Sequence, residues 1–234
     1  MTDTFETEQA ENRIDALEDI LAARYSCRAF RPDPVPRDTI ERIVRTARRV
    51  PSWCNAQPWQ VAVTATPQAT DRFRDMLRDA VANNASKLDL EGPSGYSGAY
   101  AERRRTCGWA LYDAVGVQKG DRAASGAQMM RNYDLFDAPH VAIVTSPREL
   151  AGYGAMDCGG FVTAFTLAAT ALGVDTIVQA AIAFYADAVR DHFKIAEDRM
   201  ILCAISFGYA VEDHPANSFR TERAPLDEII DWRN

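Results

Sequence analysis

The stretch Pro51–Trp59, PSWCNAQPW, places two prolines, two side-chain amides and two indoles within nine residues. Pro51 and Pro58 fix their own φ angles and push the residues before them toward extended conformations. A helix should therefore end near Val50, and a strand can begin near Trp59. We interpret the stretch as a helix-to-strand connection.

The two amides of this connection, Asn55 and Gln57, each offer donors and an acceptor in one plane. Such groups suit the edge of a heteroaromatic ring that carries both carbonyl and N–H groups. The alternative is a capped turn whose amides satisfy local backbone groups and whose indoles cover the edge of a core. The stretch by itself leaves both interpretations open.

Around this connection the hydrophobic pattern predicts both helices and strands. Apolar residues recur at helical spacing in 12–23 and in the next segment, for which Asp38 is expected to be the N-cap of a capping box with Glu41. Further helices are predicted over 68–83, 106–116, 121–133, 157–172 and 185–193, and strands over 59–64, 138–145, 175–180 and 201–209. Because strict βαβ alternation is missing, the pattern favours an α+β architecture in one domain, 1–234.

The composition is that of an ordinary globular chain, with 234 residues, 47% apolar and 25% charged residues, and a net charge of −7. This charge gives no general attraction to nucleic acid or anionic membranes, so an anionic ligand would have to be bound by local arginines. No apolar run reaches the about 18 residues that span a bilayer, and the acidic, polar segment 1–11 does not resemble a secretion signal. We expect a cytoplasmic protein with a flexible segment 1–11.

Metal and thiol chemistry find little support in the sequence. The five cysteines are widely spaced without a C-x-x-C pair, which is typical of neither a disulfide scaffold nor a zinc site. Cys54 lies in the opening stretch, but no histidine lies nearby in sequence to activate it. His140, His192 and His214 are each isolated and are interpreted as structural or surface residues. We therefore expect no metal and name no catalytic side chain.

Segment 84–105 has the composition of a long loop, with four glycines or prolines, two tyrosines and then Arg103–Arg105. Loops of this length in a compact domain are usually functional or mobile. We expect 84–136 to form a lid or excursion that shapes a substrate pocket, with Arg103–Arg105 favouring an anionic substrate. Five aromatic residues are candidates for its walls or for core and dimer packing, namely Tyr96, Tyr100, Trp109, Tyr112 and Phe136.

Two further motifs carry clustered arginines. Arg24, Ser26 and Arg28 fall in the heptapeptide RYSCRAF, and Arg220 and Arg223 fall near the end of the chain in NSFRTERAPL. Guanidinium groups bind phosphate through paired hydrogen bonds. The alternative for the heptapeptide is a solvated helix end whose arginines interact with the helix dipole.

The order Arg-x-Ser-x-Arg-x-Phe, Pro-Ser-x-x-Asn-x-Gln-Pro-Trp and a late Arg-x-Pro-Leu resembles the flavin-dependent nitroreductase superfamily over residues 14–231. Segment 100–140 is further similar to the nitrobenzoate and nitroarene reductases. The resemblance implies a nitroreductase-like fold with a mixed, mainly antiparallel sheet flanked by helices. It also implies an intertwined homodimer that binds FMN at its interface.

Carried onto this sequence, the resemblance implies cofactor-binding residues from both subunits. Arg24, Ser26 and Arg28 would hold the phosphate, ribityl chain and pyrimidine edge of FMN, with Arg220 and Arg223 completing the phosphate clamp. From the other subunit would come Pro51, Ser52, Asn55 and Gln57. Gln179 and Ala180 align with the contact to flavin N5, where many relatives have Glu-Gly, and the Ala180 N–H would make that contact.

The resemblance also implies the reaction. Reduced nicotinamide, NADH or NADPH, would pass hydride to the flavin in a ping-pong cycle, and nitroaromatic or similar electron-poor acceptors would reoxidise it. A first alternative keeps the flavin but reduces quinones, enones or halogenated phenols. A second alternative is a non-catalytic flavin-binding module, in which bulky Trp53 would block the flavin face.

Overall fold

The computed structural model describes residues 2–233, with side chains from residue 10 onward. Seven helices and four strands follow one another within this range. The helices are α1 (Thr2–Ala23), α2 (Arg37–Ala47), α3 (Pro67–Ala82), α4 (Gly98–Ala114), α5 (Arg122–Met130), α6 (Ala151–Ala171) and α7 (Ala186–Phe193). The strands are β1 (Gln60–Val63), β2 (His140–Pro147), β3 (Asp175–Gln179) and β4 (Arg199–Gly208).

The strands form one sheet in the order β1-β2-β4-β3, and every pair of neighbours is antiparallel. A parallel contribution comes from residues after α1, where Ser26 bridges to Thr176 and the Cys27 N–H donates to the Thr176 carbonyl at 3.0 Å. The predicted α+β class and the mixed, mainly antiparallel sheet are thus confirmed. The arginine motif of residues 24–28 is thereby held against β3.

Both faces of the sheet are covered, which explains why the centre of β2, residues 141–144, is apolar. Ala142 and Val144 pack with α2 and α6, whereas Val141 and Ile143 pack with α3 and α7. Side chains alternate between the two faces of a strand, so apolar residues are favoured at successive positions when both faces are buried. The sheet is a rigid support for the site, since residues 26–27 pair with β3 and the Pro51–Trp59 connection leads directly into β1.

Several helix boundaries differ from those expected. α2 begins at Arg37 after Pro36, and the Asp38 carboxylate accepts only from the N–H of neighbouring Thr39, so the predicted capping box is wrong. α1, α4 and α6 begin at Thr2, Gly98 and Ala151, each earlier than predicted. These early turns lack a clear apolar stripe, which was the signal used to find helices. The flexibility of 1–11 stays a prediction.

Three consecutive residues, Leu135, Phe136 and Asp137, have left-handed φ angles of 55°, 53° and 65°. Non-glycine residues pay about 1–2 kcal/mol each for this conformation and rarely adopt it in succession. Leu135 and Phe136 are nevertheless buried. Burial of these apolar side chains offsets the strain of the turn, so the surrounding structure determines its shape. No helix within the described range is long and apolar enough to cross a membrane.

Candidate cofactor site

The two arginine motifs meet in one cavity. Residues from the end of α1, from 24–28 and from 219–223 enclose a volume of about 340 Å³. The cavity is lined by all five residues predicted from these motifs, Arg24, Ser26, Arg28, Arg220 and Arg223. Segments nearly 200 residues apart in the sequence thus come together around one space.

The cavity concentrates positive charge. Burial lowers the pKa of Arg24, and repulsion from Arg223 and Arg220 lowers it further. Burial likewise lowers the pKa of Arg28. Within the described residues Arg28, Arg220 and Arg223 donate to backbone carbonyl oxygens and form no ion pair with a carboxylate. Their charge is therefore available to an anionic ligand.

The arginine side chains are oriented by aromatic rings. The Arg220 guanidinium carbon lies 3.9 Å from the centroid of the Tyr25 ring, and that of Arg28 lies 5.5 Å from the centroid of Phe219. Such cation–π contacts fix a guanidinium group without neutralising it. Each contact joins one motif to the other, so the cavity keeps its shape.

Asn217 joins the two motifs through the backbone, and sequence reasoning did not identify this role. Its buried amide donates to the carbonyl oxygens of Ala29 and Val211 at 2.9 and 3.0 Å, and its Oδ1 accepts from the Arg28 N–H at 2.7 Å. The side chain is 4% exposed. The contacts with Arg28 and Ala29 place the 217–223 segment directly beside residues 28–29.

The second predicted group lies on the Pro51–Trp59 connection. Cys54, Asn55 and Gln57 have φ angles of 49°, 56° and 49°. The Gln57 N–H donates to Ser52 Oγ at 2.9 Å, and its side-chain amide donates to Asn55 Oδ1 at 3.2 Å. The connection is therefore wound back on itself, and its amides remain exposed.

The connection is held in place by Asp157, a residue that sequence reasoning missed. This buried carboxylate of α6 accepts from the Trp53 N–H through both oxygens, each at 3.1 Å. Trp53 itself is 60% exposed and contacts Tyr153 with ring centroids 5.0 Å apart. An aspartate within a helix gives no local signal of a contact 104 residues away, so only the folded structure reveals it.

The connection and the arginine cavity are separate within one chain. Of the described residues, none from 51–57 lines the cavity. A single chain therefore presents Pro51, Ser52, Asn55 and Gln57 on one surface and the arginines on another.

Gln179 and Ala180 lie at the end of β3, where the two residues differ in orientation. Gln179 is 2% exposed; its amide nitrogen donates to the Asn132 carbonyl at 2.8 Å, and its oxygen accepts from Ser206 Oγ at 2.6 Å. Its side chain is thus hydrogen-bonded inside the protein, and the assignment of Gln179 to the cofactor site stays a prediction. Ala180 is exposed at the edge of the sheet.

The 84–136 segment contains the two predicted helices as α4 and α5, but α4 begins at Gly98, so the long loop expected over 84–105 ends before that residue. Arg103 forms an ion pair with Glu228 and Arg105 with Glu102, whereas Arg104 lies 5.4 Å from the centroid of Tyr96. Of the aromatic candidates, Tyr96 and Tyr100 are exposed, Trp109 and Tyr112 pack edge to face, and Phe136 is buried in a core cluster. Core packing is thus the correct interpretation for Phe136.

His140 is structural, as expected. Its Nε2 accepts from the Val35 N–H at 3.0 Å and its Nδ1 lies 2.9 Å from the Thr64 carbonyl, so the ring is neutral with the proton on Nδ1. Burial lowers its pKa. The described residues contain no cluster of His, Cys, Asp or Glu side chains suited to a metal ion.

Comparison with known proteins places these features in a family. Residues 21–209 match the profile of the nitroreductase family. The nitroreductase NfnB of Mycolicibacterium smegmatis is 34% identical over 226 residues, which cover 96% of each chain. A 4-nitrobenzoate reductase of Nocardioides sp. is 34% identical over 221 residues, or 93% of this chain and 90% of that protein.

Solved structures agree. The FMN-dependent nitroreductase NfnB from Mycobacterium smegmatis, crystallised in complex with NADPH, superposes with a TM-score of 0.89 and 34% identity over 94% of this chain and 99% of that one. The FMN- and NADPH-dependent NfnB from Sphigopyxis sp. strain HMH gives a TM-score of 0.89 at 30% identity over 93% and 98%. The family profile covers most of the chain and the fold agrees along nearly its whole length, so the protein belongs to the nitroreductase family.

Proposed function

We propose that this protein is an FMN-dependent oxidoreductase that uses NAD(P)H to reduce nitroaromatic or similar electron-poor acceptors. The observation that carries the proposal is the cavity of four arginines without carboxylate partners among the described residues. The family match and the relatives named nitroreductase and 4-nitrobenzoate reductase support the same function.

The cavity fits the phosphate end of FMN. Buried guanidinium groups that repel one another are stabilised when a dianion lies between them. Arg24, Arg28, Arg220 and Arg223 would bind the phosphate and ribityl chain together with Ser26. A lysine common in relatives is Thr221 here, and this residue instead accepts from Arg223 through its hydroxyl at 2.9 Å. Arg220 would supply the charge that the lysine provides elsewhere.

The flavin ring would be bound between two subunits. Pro51, Ser52, Asn55 and Gln57 would reach the ring from the second chain, and the Ala180 N–H would lie at its N5 edge in the first. The separation of the two groups within one chain supports this arrangement. Gln179 would not be a side-chain ligand, because both polar atoms of its amide are already bonded.

A homodimer is supported by the exposed apolar surface of α1 and α6. Ile14, Leu17 and Leu21 recur on α1 at helical spacing and are 49%, 45% and 46% exposed, while Tyr153 and Met156 of α6 are 57% and 63% exposed. A contiguous apolar surface of this kind marks an interaction site. We propose that a second copy covers it.

The dimer has a direct test. Leu17→Asp should yield monomers by light scattering and should lose FMN, because each flavin would then miss one of its two walls. Arg42→Asp on α2 introduces the same charge elsewhere and should leave both properties unchanged. A monomeric Leu17→Asp protein that retains stoichiometric FMN would contradict an interfacial site.

Bound FMN would supply the hydride chemistry, taking two electrons from NAD(P)H and passing them to the acceptor in a ping-pong cycle. The chain's own residues bind and orient, and no side chain is assigned as a proton donor. We propose that 84–136 shapes the acceptor pocket within a single domain. In this segment Arg104, which pairs with no carboxylate among the described residues, would attract an anionic acceptor.

The acceptor class can be tested by steady-state rates on nitroarenes, quinones, enones and halogenated phenols. At least a tenfold preference in kcat/KM for nitroarenes is expected, and a smaller preference would favour the other acceptors. Arg104→Ala should raise KM for nitrobenzoate more than KM for uncharged nitrobenzene. Equal KM changes for the two acceptors would remove Arg104 from substrate recognition.

A further inference from the structure

Gln179 joins the 84–136 segment, which the proposed function assigns to the acceptor pocket, to the central sheet. Its amide nitrogen donates to the main-chain carbonyl of Asn132, at the end of the 84–136 segment. Its amide oxygen accepts from Ser206, a fully buried residue of the central strand β4. Because the Asn132 carbonyl can only accept, the amide nitrogen of Gln179 must face it, and the amide oxygen is then the acceptor for the Ser206 hydroxyl.

The segment that receives this bond, Asn132–Ala138, is the strained return of the chain from α5 to β2. The Asn132 carbonyl also accepts from the Leu135 N–H at 3.1 Å, at the start of the left-handed turn. Arg74 donates to the carbonyls of Asp134 and Ala138 at 2.8 and 3.1 Å. The turn is thus held by bonds from outside, and Gln179 supplies the bond at its beginning.

The same turn contacts the arginine motif. The Phe30 N–H donates to the Phe136 carbonyl at 3.2 Å. Phe30 lies two residues after Arg28 and packs with Phe136 in one buried cluster. A displacement of the turn would therefore shift the residues next to Arg28 as well as those of the 84–136 segment.

The backbone after Gln179 faces the edge of the sheet. The Thr176 carbonyl points away from β4, since it accepts from Cys27. Backbone groups of a strand alternate in direction, so those of Val178 and then Ala180 point to the same outer edge. Gln179 lies between these two residues, and its side chain is held inside the protein by two hydrogen bonds. The conformation of Gln179 sets the direction of the next peptide group, and therefore of the Ala180 N–H.

We propose that Gln179 is a positioning residue that holds the Ala180 N–H and the Asn132–Ala138 return in one fixed arrangement, and that acceptor reduction depends on this link. The inference rests on the proposed function. Gln179 itself would contact neither FMN nor acceptor. Its effect would be transmitted through the peptide that follows it and through the Asn132 carbonyl.

The test uses two replacements that remove the donor, Gln179→Glu and Gln179→Met, and one control, Ser206→Ala. At about pH 8 both donor-free variants should retain FMN, since the phosphate cavity is unchanged, while kcat/KM for 4-nitrobenzoate falls about tenfold. Ser206→Ala removes only the other bond of the same amide. It should stay within about twofold of the natural protein.

The glutamate variant adds a readout that a purely structural role would not move. Burial raises the pKa of a carboxyl group, and the protonated form can donate to the Asn132 carbonyl. The activity of Gln179→Glu relative to the natural protein should therefore recover as pH falls, whereas the ratio for Gln179→Met should stay constant. A constant ratio for Gln179→Glu would overturn the proposal, as would a Ser206→Ala variant as impaired as the donor-free ones.

Hydrogen exchange on FMN-free protein provides a readout without activity. The hydrogen-bonded amides of residues 135–138 should exchange slowly in the natural protein and become faster in Gln179→Met. Unchanged exchange and unchanged kinetics in both variants would refute the link. If the variants do not fold, slow exchange of residues 135–138 in the natural protein supports the proposal, and fast exchange overturns it. A natural protein that binds no FMN would refute the proposed function, while this exchange measurement would still decide the link.

Discussion

Removing one cation from the arginine cavity should weaken FMN binding without destabilising the protein that lacks FMN. Arg24 is the clearest choice, because burial, and then repulsion from Arg223 and Arg220, already lower its pKa. A hydrogen bond to a charged partner contributes about 1.5–3 kcal/mol. Arg24→Met, which keeps the apolar stem, should therefore raise the FMN dissociation constant about 10- to 150-fold.

The second half of this prediction concerns the FMN-free protein. Loss of Arg24 also removes like-charge repulsion, so the unfolding free energy of FMN-free Arg24→Met should equal or exceed that of the natural protein. Flavin fluorescence quenching measures the binding, and urea denaturation measures the stability. Arg42→Met, an exposed arginine of α2, is the matched control and should bind FMN normally. A dissociation constant within about twofold of the natural value would refute phosphate binding by Arg24.

Three other perturbations follow from single contacts. Asn217→Ala leaves the Arg28 N–H without its partner and removes one of the hydrogen bonds that the Ala29 and Val211 carbonyls accept. The loss of three hydrogen bonds should lower the unfolding free energy by about 3 kcal/mol and Tm by about 6–12 °C, whereas exposed Ser218→Ala should change little; equal melting curves would contradict the role of Asn217. His140 has a lowered pKa in the fold, so its contribution to stability should be constant above the unfolded value of 6.5 and decrease below it. Because the pKa of His192 is also lowered, His140→Asn should reduce this slope in urea titrations without abolishing it; an unchanged slope would count against the assignment. Cys54 is exposed, whereas burial raises the pKa of Cys27 to about 12. Mass spectrometry should find that an alkylating reagent modifies Cys54 first and that bound FMN slows this modification. Modification of Cys54 at the same rate with and without FMN would place Cys54 outside the site.

The arginine motifs could be predicted from sequence because each one is local and chemically distinctive. RYSCRAF and NSFRTERAPL each concentrate guanidinium groups in a few residues, and the cavity brings both together. The strands were also predictable, since β2 and β4 are apolar runs bounded by turn residues. Local composition therefore identified the arginines that line the cavity and the segments that form the sheet.

Residues that hold the site in shape could not be found in this way. Asp157 and Asn217 each make contacts with residues more than 100 positions away. Asp157 stands in no motif, and Asn217 begins the NSFRTERAPL motif without being one of its arginines. The early start of α4 was missed because its first turns are exposed and carry no apolar stripe. Gln179 was assigned by alignment to the cofactor, yet strand alternation turns its side chain inward. Such roles depend on tertiary contacts and on strand phase, which a single sequence does not specify.

The most direct test of the central claim is an anaerobic titration of the purified protein. The account predicts about one FMN per chain, loss of the flavin's visible absorbance on addition of NADPH or NADH, and its return when 4-nitrobenzoate is added. Colourless protein that cannot be reconstituted with FMN would contradict the cofactor assignment. If FMN is bound but neither NADPH nor NADH reduces its visible absorbance, the protein is a flavin-binding module, and the proposed reductase activity is contradicted.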